Sequence, residues 1–444
     1  MKNSSNIKNR YYQSYNDNQS LLPGLDLSWI KRLRDDAITQ FNQDGFPDKN
    51  VEEWNIYSFK GLTETFYNPF EKNNYDLDID LIEKKNGNCL IRVIFYNGKI
   101  IKIEHDILPQ GIKVNTLNFF LKNDPEFLKE KIKPANEFSE DRLSKMTDSR
   151  PQSIVALNAA FHKEGAVICI DKNIKVPGYI ELLQLGTSNS NSMKHIRSVL
   201  YLDEGAECEV LENIKQDENN NLLFTSNVSD IHISKGAVLS FHRFIEGNSN
   251  NLHINNVHVN LDKDAKFINA SFINSKGQVR AETRVNLKGE NSSSKIDSLM
   301  IGTSESLHET LTKVRHIEKN TKSDQIIRTI LDDKSKGSFQ GKIRVDVGAD
   351  GTQANMSGKS LLLSDNCRIN SKPELEILAD DVSCSHGVTV GNLSEEQLFY
   401  LCSRGIPENE ARRLLINSFG KIVIDSLSPS LSIRAKKLML EYNN

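Results

Sequence analysis

The chain has 444 residues, more than a typical single domain, so two or three structural units or one elongated repeat are expected. With 56 basic against 59 acidic residues the formal net charge is −3, which gives no whole-chain drive toward nucleic acid or anionic lipid. No run of about 18 apolar residues occurs, so no transmembrane helix and no membrane partner are expected.

The first twenty residues, MKNSSNIKNRYYQSYNDNQS, are polar, lack an apolar signal core and are expected to be disordered. From Leu27 the pattern turns helical: Ser28 is placed to cap a helix in which Trp29, Leu33, Ala37 and Phe41 form one stripe, and Gly45 and Pro47 end it. Strand candidates CLIRVIFYNG and KIIKIEH and a helix around Phe119 to Leu121 follow. Residues 21–150 therefore read as an N-terminal helical or α/β region.

Beyond Ala156 the period switches to two. The runs AVICID, GYIELLQL, HIRSVLYL, ECEVLENI, VSDIHIS, VLSFHRF, HINNVHVNL and KFINASFI alternate with short polar turns, so residues 151–391 read as a mainly β core. Turns recur at Glu204-Gly205-Ala206, Lys235-Gly236-Ala237, Lys263-Asp264-Ala265 and Lys288-Gly289-Glu290, with central residues 31, 28 and 25 apart. Three strands of about five residues with three turns give a rung of roughly 24 residues, compatible with a stacked solenoid. Irregular spacing also suits a β-sandwich, and periodicity does not choose between them. In a solenoid the last rung exposes unpaired backbone groups, so the edge near residues 371 to 390 is expected to pair with another protein.

Residues 392–444 return to helical periodicity. Ser394 and Gln397 are spaced for a capping box, Leu398, Leu401 and Cys402 share a face, Gly405 is a stop, and Pro407 opens a second helix before a last one in SLSIRAKKLMLEY. Such short amphipathic helices outside a self-sufficient solenoid have surface to spare for a partner, and Leu398, Phe399, Arg404, Leu414 and Leu415 are the candidate contacts.

Six cysteines, Cys89, Cys169, Cys208, Cys367, Cys384 and Cys402, stand singly with no C-x-x-C, as in a reducing compartment such as the cytoplasm or a plastid-like organelle. Cys169, Cys208 and Cys402 read as core packing. Ser357-Gly358-Lys359-Ser360 ends like a phosphate-binding loop, but Gln353 stands where the first glycine belongs and a strand-like LLLS follows. His308-Glu309 lacks a second His at Thr312. His232, His242, His253, His258 and His316 lie on strand-like runs, where surface or hydrogen-bonded roles are expected. Cys384 and His386 differ: two apart on a strand, they project to one face, and thiolate and imidazole both suit iron or zinc. Clusters and structural zinc take four ligands, Val382 on that face cannot ligate, and Asp380 helps only if the strand bends. The pair is therefore a candidate metal site completed by another chain.

The segments SKPELEI, DDVSCSHG and LFYLCSRGI, in that order, resemble the SufB/SufD family of iron–sulfur cluster assembly, strongly from about Phe339 to Ser426. FPDKNVEEWNIYSF resembles the family's N-terminal motif. CSHG places the likeness on the SufD side, since SufB carries a Glu- and His-containing stretch there. The resemblance implies a right-handed parallel β-helix core with helical flanks, a non-catalytic scaffold role, a SufB-like partner at the β-helix or a homodimer in isolation, and a SufC-like ATPase at the C-terminal helices. It implies no cofactor held stably by this chain alone, with iron or a nascent iron–sulfur cluster passing through the interface, and it favours His386 over Cys384 as the more important group. The alternatives are a SufB-like cluster carrier, for which more cysteine ligands are expected, and a β-helix carbohydrate-active enzyme. The latter needs carboxylates across a groove, whereas Asp380 and Asp381 face opposite sides of a strand.

Overall fold

The computed structural model describes residues 2–56, 59–71, 85, 87–134, 150–187, 190–216 and 222–442. The period-two segments fold into two stacked sheets whose strands alternate along the chain. One sheet runs, in spatial order, β2 (Lys99–His105), β1 (Cys89–Tyr96), β5 (Lys175–Gly186), β7 (Glu207–Gln216), β9 (Val238–Gly247), β11 (Lys266–Ser275), β13 (Ser293–Gly302), β15 (Lys322–Leu331), β17 (Thr352–Leu362) and β19 (Val382–Gly391). The other runs β3 (Ile112–Thr116), β4 (Ala166–Ile170), β6 (Ser192–Leu202), β8 (Leu223–Ile233), β10 (Asn251–Leu261), β12 (Gln278–Leu287), β14 (Leu307–His316), β16 (Lys336–Val345) and β18 (Arg368–Ile377). Pairing is parallel except for β1 with β2 and β3 with β4. This is a parallel β-solenoid.

A rung holds two long strands, one per sheet, where three short ones were expected. The turns seen in the sequence mark only one of the two bends. They stack, with Gly205 N–H on Lys235 O, Gly236 N–H on Lys263 O and Asp264 N–H on Glu290 O, and all three residues take left-handed φ of 66°, 68° and 58°. At the fourth repeat the left-handed residue is Asn291 instead of Gly289. Register then places like residues in columns. Ile231, Val259, Val285, Val314 and Ile343 pair in succession and are buried, so each rung's alternation supplies one layer of a continuous dry core.

The strands of the N-terminal region join the core rather than forming a sheet of their own. β1 pairs with β5 and β3 with β4, so they begin the two sheets. The expectation of disorder over the first twenty residues is also corrected, because Lys2–Asn18 form α1. Ile7, Tyr11 and Tyr15 recur at i+4 and are buried, Tyr11 edge-on to Phe41 and Phe46 at 5.8 and 5.7 Å. In α2 (Ser28–Asp44) the cap is Leu27, with no side-chain cap bond, and Ser28 is already helical, whereas Gly45 ends the helix as expected at φ 71°. The short α3 (Lys60–Glu64) follows, and α4 (Leu117–Asn123), where expected, and α5 (Pro125–Lys131) flank the first rungs. The buried α6 (Ser153–Phe161), α1 and α2 cover Phe224, Val228, Leu252 and Ile254 on the outer face of the β18-to-β3 sheet.

The C-terminal helices are α7 (Glu395–Ser403), α8 (Glu408–Ile424) and α9 (Pro429–Tyr442). Ser394 Oγ accepts from Gln397 N–H at 3.3 Å and Gly405 stops α7 at φ 89°, as the sequence indicates. Helices α8 and α9 lie along the outer face of the β19-to-β2 sheet, where Ile416, Val423, Leu431 and Leu438 pack against Phe244, Phe272, Leu299 and Ile330. Arg434 fixes α9 by donating to Asn213 Oδ1 at 2.6 Å and Glu246 Oε1 at 2.9 Å. They flank the solenoid and leave its last rung uncapped by any described element.

Candidate functional site

Both sheets end in exposed ten-residue strands. β18 bonds only to β16 and β19 only to β17, so their outer edges carry unpaired backbone groups. Pro373 removes one donor from β18, as suits an edge strand, while β19 contains no proline. Nearby apolar groups are exposed as well: Ile377, Leu378, Val390 and, at the neighbouring bend, Val347. An edge this long without a cover is a template for another chain.

Register places Cys384 opposite Ala354 and His386 opposite Met356, on the inward face shared with Val382 and Val388. The two candidate ligands thus project together, as period two requires, at the mouth of the solenoid. Cys384 is half-buried and His386 exposed. Burial pushes the Cys384 thiol up, against a smaller opposing hydrogen bond from the Ala354 backbone. Below them the solenoid is filled. Gly341 and Gly358 make the room: a Cβ at 341 would stand 2.3 Å from Met356 Sδ and 2.7 Å from Phe339 Cζ, and one at 358 would stand 2.9 Å from Val388 Cγ1. Phe339 and Met356 form an apolar floor, so the Cys384 thiol and the His386 imidazole are accessible from the open end alone.

On the opposite face Ser385 Oγ donates to Asn355 Oδ1 at 2.8 Å and Asn355 Nδ2 to Asp324 Oδ1 at 2.8 Å, which fixes the backbone between the two candidate ligands. Asp380 precedes the strand, and no group of three His, Cys, Asp or Glu able to hold a metal occurs among the described residues. The two candidate ligands therefore stand together without a third metal-binding side chain among the described residues.

The five contacts expected on the C-terminal helices divide. Phe399 is 76% exposed and Leu414 46% exposed, Arg404 is exposed with its guanidinium 5.2 Å from the Tyr400 ring, and Leu415 is half-buried. Leu398 is buried and belongs to the packing of the helices, a correction that follows from its place on the inward face of α7. Tyr400, 56% exposed, was missed; adjacent aromatics on a helix cannot both turn inward, which was the available signal. A groove of about 490 Å³ between α8 and α9 is lined by Leu414, Asn417, Lys421, Ile424, Lys436 and Met439.

Other motifs resolve plainly. Ser357 to Ser360 lie inside β17, so no phosphate loop or helix N-terminus forms there. The strand histidines are more buried than expected: His253 lies 2.5 Å from Thr225 Oγ1, and His316 contacts Thr321 Oγ1 and Ser323 Oγ at 2.8 and 2.9 Å. Burial pushes these imidazoles down, to about 3 and about 4, so they are neutral. Cys169 and Cys208 are buried as expected, and Cys402 only partly.

The architecture is a parallel solenoid uncapped by any described element, with helices laid against the outer faces of both sheets and a thiol and an imidazole at its mouth. Residues 185–419 match the family model for the SufBD core domain of SUF system FeS cluster assembly, and residues 5–182 match that for the SufBD protein N-terminal region. The chain belongs to the SufBD family of iron–sulfur cluster assembly proteins. It is similar to the iron–sulfur cluster assembly protein SufD of Escherichia coli (27% identical over 398 residues, 88% of this chain and 87% of the relative). It is also similar to SufD of Bacillus subtilis (24% over 418 residues, 90% of each) and, over 60% of its length and 58% of the relative's, to the chloroplastic protein ABCI7 of Arabidopsis thaliana at 28%. Within the family it is SufD-like. No helix among the described residues is long and apolar enough to cross a membrane.

Proposed function

We propose that the chain is a scaffold subunit whose last rung pairs with a SufB-like subunit, while its C-terminal helices receive a SufC-like ATPase subunit. Iron or a nascent cluster is cargo at the first contact, with Cys384 and His386 supplying part of its ligand set and the partner supplying the rest. The observation that carries the reading is the coincidence of two unpaired strand edges with a thiol and an imidazole at their mouth. Iron–sulfur clusters normally take four protein ligands, and a pair above an apolar floor suits cargo that must be released. Phe399, Tyr400, Arg404 and Leu414 form the exposed surface offered to the ATPase subunit. Nucleotide chemistry belongs to that subunit in this scheme. A second copy of the chain occupies the edge when the SufB-like subunit is absent. The chloroplastic relative supports an organellar setting.

The test replaces His386 by Ala and Cys384 by Ser in the assembled complex. Association is expected to survive while iron and cluster content fall, more for His386. Unchanged cluster formation with both replaced refutes the shared site; loss of association assigns the pair to packing.

A further inference from the structure

Where the N-terminal elements meet the first rungs, a cavity of about 470 Å³ opens, remote in the fold from the mouth. That size suits a small organic ligand more than a bare ion. Its apolar wall includes Leu22, Pro23, Phe161 and Met193, and its polar wall includes Lys99, Lys163, Glu164, Lys194 and His195.

Two features are unexplained by the fold alone. The His195 imidazole is buried, stacked on the Phe161 ring at 6.0 Å and 15°, and neither of its nitrogens has a hydrogen-bond partner. A buried polar group left unmade is costly, and here it lines a cavity. The second feature is an excess of cations. Lys163 and Lys194 repel each other, and burial with this repulsion pushes Lys163 down to about 8. Lys194 has Glu71 at 2.9 Å, whereas Lys163 Nζ donates to the Pro69 carbonyl at 3.0 Å and lies 4.3 Å from the Phe70 ring. The other acid, Glu164, is held by Asn118 Nδ2 and Gly165 N–H, both at 3.4 Å, and burial pushes its carboxyl up to about 7, so it is partly uncharged at neutral pH. Behind the wall Arg34 donates to Ala160 O at 2.9 Å and Pro23 O at 3.3 Å, adding positive charge without a carboxylate.

We propose that this cavity is a binding site for a small aromatic or apolar organic anion, its carboxylate or phosphoryl head between Lys163 and Lys194 and accepting from His195, and its body against Phe161, Leu22 and Met193. The anion relieves the repulsion between the lysines and partners the imidazole. The site is independent of the cluster-handling role.

The experiment is calorimetric titration of the full chain at neutral pH with phenyl phosphate, benzoate, inorganic phosphate and phenol. One or both aromatic anions should bind, and which one identifies the head. Inorganic phosphate and phenol should bind at least about tenfold more weakly, since each lacks one half of the recognition. Lys163→Met should weaken binding about tenfold or more and His195→Phe severalfold, with folding checked by circular dichroism. Should Lys163→Met not fold, His195→Phe and Lys163→Arg decide: the first must weaken binding and the second largely retain it. Failure of both aromatic anions to bind, inorganic phosphate binding as tightly as phenyl phosphate, or affinities indifferent to these substitutions would overturn the proposal.

Discussion

Glu53 is the point at which the N-terminal segment is fastened to the outer face of the solenoid, and its removal should be felt in one place first. Its carboxylate lies 2.8 Å from Arg284 Nη2 and also bonds Lys313 Nζ, its backbone carbonyl accepts from Gln340 Nε2 at 3.0 Å, and the next residue, Trp54, lies 3.9 Å from the Arg280 guanidinium. The three charged side chains are 17%, 6% and 13% exposed, so solvent screens them little. Deleting one partner of a buried pair costs about 3–5 kcal/mol, and because Arg284 keeps Glu282 at 2.6 Å the expected cost of Glu53→Gln is lower, about 2–3 kcal/mol. Burial opposes ionisation of Glu53, but Arg284 and Lys313 outweigh it and hold the carboxyl well below the usual range. A depressed carboxyl contributes stability above its unfolded value, near 4.5, and loses it as pH falls toward the folded value. Urea unfolding followed by tryptophan fluorescence at pH 7 and pH 4 measures this, Trp54 being one of two tryptophans. Glu53→Gln should lower the midpoint at pH 7 and flatten the acid-side pH dependence, and pairing it with Lys313→Met should recover part of the loss. A cost below about 0.5 kcal/mol, the level of an exposed pair, would refute the clamp.

Tyr11→Ala should destabilise the N-terminal helices by about 3–5 kcal/mol, read by thermal unfolding, since the ring is fully buried and its hydroxyl accepts from Tyr67 N–H at 3.0 Å. Gly341→Ala should cost about 1–3 kcal/mol by overpacking Phe339 and Met356, and hydrogen exchange should rise first in β16 to β19. Phe399→Ser with Leu414→Ser should leave the melting temperature within a degree or two while weakening co-purification of a SufC-like subunit, because neither side chain belongs to the buried core.

The β core was legible because alternation survives in nearly every strand and the corner residues repeat. The number of strands per rung was not, since the Gly-Ala and Asp-Ala turns that repeat in the sequence mark one bend of the early rungs only, and the strands are twice the length assumed. The helix α1 was hidden by its Asn, Ser and Gln content, although Ile7, Tyr11 and Tyr15 held the period that its packing uses. Cys384 and His386 could be paired from spacing alone because a strand fixes which face each residue takes. The cavity at the other end could not: Leu22, Lys99, Lys163 and His195 come from four separate segments and meet only once the first rungs are covered. Leu398 was misplaced for a related reason, since helical periodicity gives a face without saying whether a neighbour or solvent meets it.

Amide hydrogen exchange across β18 and β19, with and without a SufB-like subunit, tests the central claim most directly. Pairing of the open edge predicts slowed exchange concentrated in Arg368–Ile377 and Val382–Gly391 once the complex forms, with the buried strands before them unchanged. A stable complex in which those twenty residues exchange as they do in the free chain would contradict it.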